Sequence, residues 1–290
     1  MDAFTFYITY TLCWLISLLP LRVLYLFSDL LYVIIYYLIG YRKKVVFINL
    51  QNSFPEKSRE EIKKIAKGFY KHFADVLIEI IKLIHINQKT LSKHIKYLNF
   101  EILDKLYNQK KHVIAVTGHY GNWEWGIGIP KYTNYNVIIL YQPISNKYFN
   151  DLILKLRTQF GIKLVHMNKA IRTILRYQQQ KKLTLSFFIA DQSPQKNNIQ
   201  YWTTFLNQET PVYFGIEKIA KKTNQAVVFF KMQKVKRGYY TVEIIKLFDE
   251  TKNTEQYEIT EKHIRALENV INIQPEHWLW SHRRWKHKKA

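Results

Sequence analysis

Four consecutive apolar residues, Val113-Ile114-Ala115-Val116, run straight into Thr117-Gly118-His119-Tyr120-Gly121-Asn122-Trp123-Glu124. An apolar, partly β-branched run that stops at a glycine reads as a buried strand ending in a tight turn, and the turn leads on into a helix. In open α/β sheets the ligand crevice lies outside the carboxyl ends of such strands. This turn carries an imidazole, His119, and a carboxylate, Glu124, five residues apart, which is a general-base site in outline.

The rest of the chain supplies partners for that strand. Besides 112–116, short β-like runs cover 137–141, 163–166, 183–190, 226–232 and 239–247, and helical stretches separate most of them. Ile62, Ile65, Ala66, Phe69, Phe73, Val76, Leu77 and Ile80 follow three-and-four spacing after a capping box of Ser58 and Glu61. Phe149, Leu152, Ile153, Leu156 and Phe160 form a second stripe, which Gly161 ends. Thr210-Pro211, in cap-then-proline order, predicts another helix with Val212, Ile216, Ile219 and Ala220 facing inward. The expected fold is α/β, with a mixed, largely parallel central sheet flanked by helices. A chain of 290 residues is long enough for one sizeable core of this kind.

The amino terminus predicts a membrane device. Residues 4–19 carry no charge, Pro20 follows, and 21–39 is apolar except for Arg22, Ser28 and Asp29. As helix the first piece reaches about 24 Å, short of a hydrocarbon core of about 30 Å, so the second piece must help. The expectation is one spanning helix running past Pro20 and then an amphipathic portion at the interface or packed on the rest. A hairpin of two short helices is the alternative. A cleaved signal is disfavoured, because a positively charged start and a small-residue cleavage site are both missing. Arg42-Lys43-Lys44 just beyond the apolar region places the bulk of the protein on the cytoplasmic side. The chain thus divides into 1–40, anchor and interfacial helix, and 41–290, the catalytic domain.

A formal charge of +22 calls for acidic partners or reflects a lysine bias that runs along the whole chain. The carboxyl-terminal Trp278-Leu279-Trp280-Ser281-His282-Arg283-Arg284-Trp285-Lys286-His287-Lys288-Lys289 suits a lipid headgroup layer, with rings and cations together. Nucleic acid competes as a partner for such a tail, but the apolar segment at the other end favours membrane, and no nucleic acid is expected. The single cysteine, Cys13, excludes disulfide frameworks, cysteine-based zinc sites and dithiol redox motifs.

His119 leads the catalytic candidates by position, although a lone histidine is usually structural. Glu124 either curls back to accept the second imidazole N–H or is a first-turn helix acid favoured by the macrodipole. Neither a serine or cysteine nucleophile nor a second histidine cluster stands beside the pair, so covalent catalysis and metal hydrolysis have little support, and no metal or cofactor is expected. The simplest remaining chemistry is deprotonation of an acceptor hydroxyl that attacks an activated acyl group.

Gly118 to Glu124 resembles the His-four-residues-acid motif of glycerolipid acyltransferases. As Gly-His-Tyr-Gly-Asn-Trp-Glu it is similar to the lipid A late acyltransferases, the lauroyl and myristoyl transferases of Gram-negative bacteria. Tyr41-Arg42-Lys43-Lys44 with Asn49-Leu50 and Phe54-Pro55-Glu56 resembles the segment with which that family's domain begins. Arg157 to Gly161 resembles its Arg-x-x-x-Gly element, Ala190-Asp191-Gln192 its aspartate turn, and Gln274-Pro275-Glu276-His277-Trp278-Leu279-Trp280 through Arg284-Trp285 its carboxyl-terminal signature. The resemblance covers nearly the whole chain, and five ordered elements are far more specific than the histidine motif alone.

It implies a glycerolipid acyltransferase-like fold and transfer of a fatty acyl chain from acyl carrier protein to a hydroxyl of a lipid A precursor, a phosphorylated glycolipid, at the inner membrane. His119 would be the general base, Glu124 its orienting acid, and Arg157 the matching essential arginine. On physical grounds Arg157 either snorkels in its last helical turn or supplies a cation for developing negative charge. Asn122, Trp123, Asp191 and Gln192 are the candidate substrate-binding residues, although the last two can equally cap the next turn. Asn207 stands where the family commonly has a glycine. The competing readings are the same chemistry on another acceptor, an aminolipid or glycolipid, and a non-catalytic scaffold for acidic lipid or nucleic acid.

Overall fold

The structure is a computed structural model that describes residues 3–289; residues 1, 2 and 290, on which the outer bounds of the two expected segments fall, lie outside it. The chain opens with α1 (Ala3–Ser17) and α2 (Leu21–Val33), which continues as a π-helical turn (Ile34–Leu38). Then come α3 (Lys43–Ser53), α4 (Arg59–Lys82), α5 (Gln88–His94), β1 (Ile95–Leu98), α6 (Glu101–Asn108) and β2 (Val113–Thr117). A 3-10 segment (Trp123–Tyr132) leads to β3 (Asn136–Tyr141), α7 (Lys147–Thr158), β4 (Lys163–His166), α8 (Ala170–Gln179) and β5 (Thr184–Ile189). The remainder is β6 (Tyr201–Phe205), β7 (Gln208–Val212), α9 (Gly215–Thr223), β8 (Ala226–Lys236), β9 (Tyr239–Phe248) and α10 (Glu258–Ile273).

Seven strands form one sheet in the order β1-β9-β8-β2-β5-β3-β4, and β6 and β7 form a separate antiparallel ribbon. Only the β8–β9 pair of the large sheet is antiparallel, so the expected mixed, mostly parallel sheet flanked by helices is the observed one. The central strands are apolar on both faces because helices cover both. Ile114 and Val116 of β2 point into one core with Val227 and Phe229, whereas Val113 and Ala115 point into the other with Val228 and Phe230. All six apolar runs read from the sequence are strands here.

Three elements were not anticipated: β1 and the β6–β7 ribbon. Thr210-Pro211 lies inside β7, and the helix it seemed to open starts only at Gly215. A two-stranded ribbon leaves each strand a free edge, which is where a residue without an N–H is tolerated. At the ribbon's two-residue turn, Leu206 and Asn207 both have positive φ, 50° and 59°. Asn207 thus adopts a left-handed backbone that favours glycine, and asparagine is among the side chains best suited to that region.

The capping box opens α4 as read: Ser58 Oγ accepts from the Glu61 N–H and Glu61 Oε2 accepts from the Ser58 N–H at 2.8 Å. The helix then presents polar side chains to the amino-terminal pair. Asp75 accepts from Ser28 Oγ at 2.7 Å, Glu79 accepts from Tyr25 OH at 2.8 Å, and Lys82 Nζ donates to the carbonyls of Ser17 and Leu19 that end α1. Leu26, Phe27, Leu30, Leu38 and Ile39 remain exposed.

The helix does not run through Pro20, contrary to expectation: α1 stops at Ser17 and Pro20 caps α2, since proline breaks the i to i−4 ladder. The 18 residues Leu21–Leu38, and not the first piece, form the helix long and apolar enough to cross a membrane, and they fit a membrane anchor. The carboxyl-terminal tryptophans also differ from expectation. Trp278 and Trp280 are 2% and 0% exposed, so they are core and not headgroup ligands. Asn49 of α3 holds that segment by donating to the carbonyls of Trp280 and His282.

Candidate active site

Strands β2 and β5 lie side by side, with Thr117 opposite Ile189, so the residues just beyond their carboxyl ends meet. Gly118 follows β2 because a Cβ there would stand 2.8 Å from Leu267 Cδ1 and 3.3 Å from Asp191 Oδ2. Gly121 sits at φ 61°, a backbone that glycine adopts without steric cost. Between them His119 is held by Asp191 twice: its backbone N–H donates to Oδ2 at 2.8 Å, and its Nδ1 lies 2.7 Å from Oδ1. Trp278 Nε1 donates to the same Oδ2 at 2.8 Å. A carboxylate at that distance places the imidazole proton on Nδ1 and leaves the Nε2 lone pair free to accept. The Gln192 amide nitrogen lies 3.3 Å from Nε2, and the Trp123 ring packs edge-on against the imidazole at 5.0 Å.

The carboxylate in contact with the imidazole is therefore Asp191, and the expectation that Glu124 would contact the imidazole is corrected. Both hydrogen-bonding groups of His119 face the end of β5, where Asp191 already receives them. Glu124 instead pairs in bidentate fashion with Arg157 of α7, through Nε at 2.9 Å and through a short Nη2 contact, and also accepts from Trp123 Nε1. Such planar two-point pairing is the strong form of an ion pair. Asn122 caps the 3-10 segment by accepting from the Trp125 N–H, and its Nδ2 donates to Glu79 Oε2 at 2.6 Å. The sequence candidates His119, Asn122, Trp123, Glu124, Arg157, Asp191 and Gln192 thus form one continuous cluster, with the two carboxylates in exchanged positions.

Burial alone would raise the Asp191 carboxyl, but the charge and hydrogen bonds of His119 outweigh it and hold the group at about 2. Glu124 is likewise buried, and Arg157 keeps it below the ordinary carboxylate range. Glu79 goes the other way: burial pushes it up to about 7 despite donors from Tyr240, Tyr25 and Asn122. Glu79 and Trp278 are parts of the site that sequence reasoning missed. The available signal for Glu79 was an acid four residues after Asp75 in a stretch of α4 that is otherwise apolar.

Next to the Trp123 ring, on the face of the sheet away from Trp278, opens a cleft of about 50 Å³. Thr117 and Trp123 of the catalytic turn form part of its wall, and Gly126, Ile139, Phe187 and Phe230 continue it. An apolar cleft with a few convergent polar groups at one side is the usual form of a small-molecule site. The arrangement can take a proton at Nε2 from a hydroxyl placed against His119, near an apolar cleft.

No match is found among curated proteins. The family model described as bacterial lipid A biosynthesis acyltransferase matches residues 1–287, essentially the whole chain, and with the site just described this shows that the protein belongs to that acyltransferase family.

Proposed function

We propose that the protein moves a fatty acyl chain from a thioester donor, acyl carrier protein, to a hydroxyl of a phosphorylated lipid A precursor at the cytoplasmic face of the inner membrane. The observation that carries this reading is His119, its Nδ1 clamped by Asp191 and its Nε2 turned toward the Gln192 amide, near an apolar cleft. In the proposed step Nε2 takes the acceptor's hydroxyl proton as that oxygen attacks the thioester carbonyl. The tetrahedral intermediate collapses by expelling the thiolate, which receives the proton from the imidazolium. Asp191 stabilises the imidazolium in between, as the acid of a catalytic triad does. Arg157, braced by Glu124, supplies a cation for the negative charge that develops on the carbonyl oxygen or for an anionic group of the substrate. The cleft takes the alkyl chain.

The exposed apolar residues of α2 support membrane docking, and the +22 charge suits both an acidic carrier protein and a phosphorylated acceptor. The test is mass spectrometry of lipid A from cells with and without this protein, together with transfer by the purified protein from acyl carrier protein to a phosphorylated glycolipid acceptor. One acyl chain fewer without the protein is expected, and no transfer by His119→Ala. Unchanged lipid A, or full activity of that variant, sinks the reading.

A further inference from the structure

On the Trp278 side of the sheet, behind Asp191, lies a second and smaller cavity of about 10 Å³, the space of about one water molecule. Its walls are mainly apolar, including Val116, Phe205, Phe229 and Leu267, but three polar residues also border it: Asp191, His263 of α10 and Arg284. Arg284 is 1% exposed and His263 3%. Arg284 Nη2 donates to the Pro211 carbonyl at 2.8 Å, while its Nε and Nη1, and His263 Nε2, have no protein partner among the described residues. Buried donors without partners are rare in folded proteins, and polar internal cavities with two to four such groups hold ordered water. Arg284 also forms no ion pair with a carboxylate among the described residues. Burial lowers it to about 10, and the opposing pull comes first from Asp191.

We propose that this cavity is an internal hydration site in which water links Arg284 Nε and Nη1 and His263 Nε2 to Asp191, and that Arg284 is thereby a positioning residue for His119. Asp191 already accepts from the His119 N–H, His119 Nδ1 and Trp278 Nε1, which leaves a carboxylate with two oxygens room for one more donor. Water suits the site better than a bound anion, because Asp191 itself supplies the negative charge. Arg284 then opposes the pull of Asp191 on the imidazolium, so that His119 surrenders its proton in the collapse step. The other charged groups near this pair are Glu124 with Arg157 beside His119, His282 and Lys286 on the carboxyl-terminal segment, and Tyr213 beside Arg284. None of them borders the cavity.

The inference rests on the proposed acyl transfer for its kinetic half only. The test compares the pH profile of kcat/KM for the full-length protein with those of Arg284→Met and Arg284→Lys, and examines a high-resolution crystal structure for water in the cavity. Arg284→Met is expected to move the acid limb to higher pH by roughly one unit, as loss of a nearby cation does, and Arg284→Lys to restore it. A lower rate with an unmoved limb assigns Arg284 a merely structural role and overturns the proposal. A dry cavity overturns it too, and that arm reads out even if the protein transfers no acyl group or Arg284→Met fails to fold. Replacing chloride by gluconate in the assay is expected to leave the limb where it is; a shift reveals a bound halide instead of water and overturns the hydration site.

Discussion

Asp191 grips His119 at two points, backbone N–H to Oδ2 at 2.8 Å and Nδ1 to Oδ1 at 2.7 Å, so the ring can neither rotate nor exchange its tautomer without losing a buried contact. Asp191→Asn removes the negative charge and offers an amide in its place. In the proposed reaction kcat is expected to fall on the order of 10³- to 10⁴-fold, as when the acid of a catalytic triad is amidated. Glu124→Gln, which loosens Arg157 and leaves the imidazole clamped, is expected to cost less. Steady-state acyl transfer by the two variants decides the order; a larger loss in Glu124→Gln returns the orienting role to Glu124.

The same clamp makes stability depend on acid. The Asp191 carboxyl is depressed in the folded protein, to about 2, so its contribution is complete above the ordinary carboxylate range and is lost as pH falls from about 4 through about 2. A shift of nearly two units corresponds to about 2 kcal/mol. Thermal unfolding in detergent over that window is expected to show a slope that Asp191→Asn lacks.

Glu79 has the opposite sign. A carboxyl raised to about 7 keeps its proton longer in the folded chain than in the unfolded one, so stability falls as pH rises from the ordinary carboxylate range to about 7. The size is about 3 kcal/mol, taken from a shift of roughly 2.5 units. Glu79→Gln, which imitates the protonated form, is expected to unfold at nearly the same temperature across that range, whereas the parent declines. Parallel curves for the two proteins refute this account.

Gly126 lines the apolar cleft, and a Cβ built on it meets nothing within 4 Å. A Cβ there is free of contacts, so Gly126→Leu carries its bulk toward the space that the proposed acyl chain occupies. Its donor preference is expected to shift toward shorter chains, by roughly tenfold or more for each methylene displaced. Competition between acyl donors of graded length measures this, and an unchanged preference removes the chain from the cleft.

Much of the architecture was legible because period-two and three-and-four patterns report burial directly. Every apolar run flanking β2 became a strand, and the Ser58–Glu61 box opened its helix. What local pattern hides is direction. Skipping four residues from His119 finds Glu124, but the Asn122 cap and the 3-10 segment carry that side chain to Arg157, while the acid that meets Nδ1 arrives from 72 positions away, just beyond the neighbouring strand. Composition misled in a similar way at the carboxyl terminus, where tryptophans among cations imitate an interfacial segment. Trp278 and Trp280 are buried in the core with their indole N–H groups satisfied by Asp191 and the Pro275 carbonyl, while the His119 turn and Asn49 hold the segment's backbone. Thr210-Pro211 imitates a helix start for the same reason: the local signal does not reveal a free sheet edge.

Tyr120 of the catalytic turn bridges to Trp278, and the carbonyls of His277 and His119 accept from the Gly121 and Leu279 N–H groups. The residue that steadies Asp191 lies 87 positions after it, close to the last described residues. During synthesis α1, α2 and the whole sheet emerge before this latch does. The proposed base is therefore incomplete while the chain is still being made.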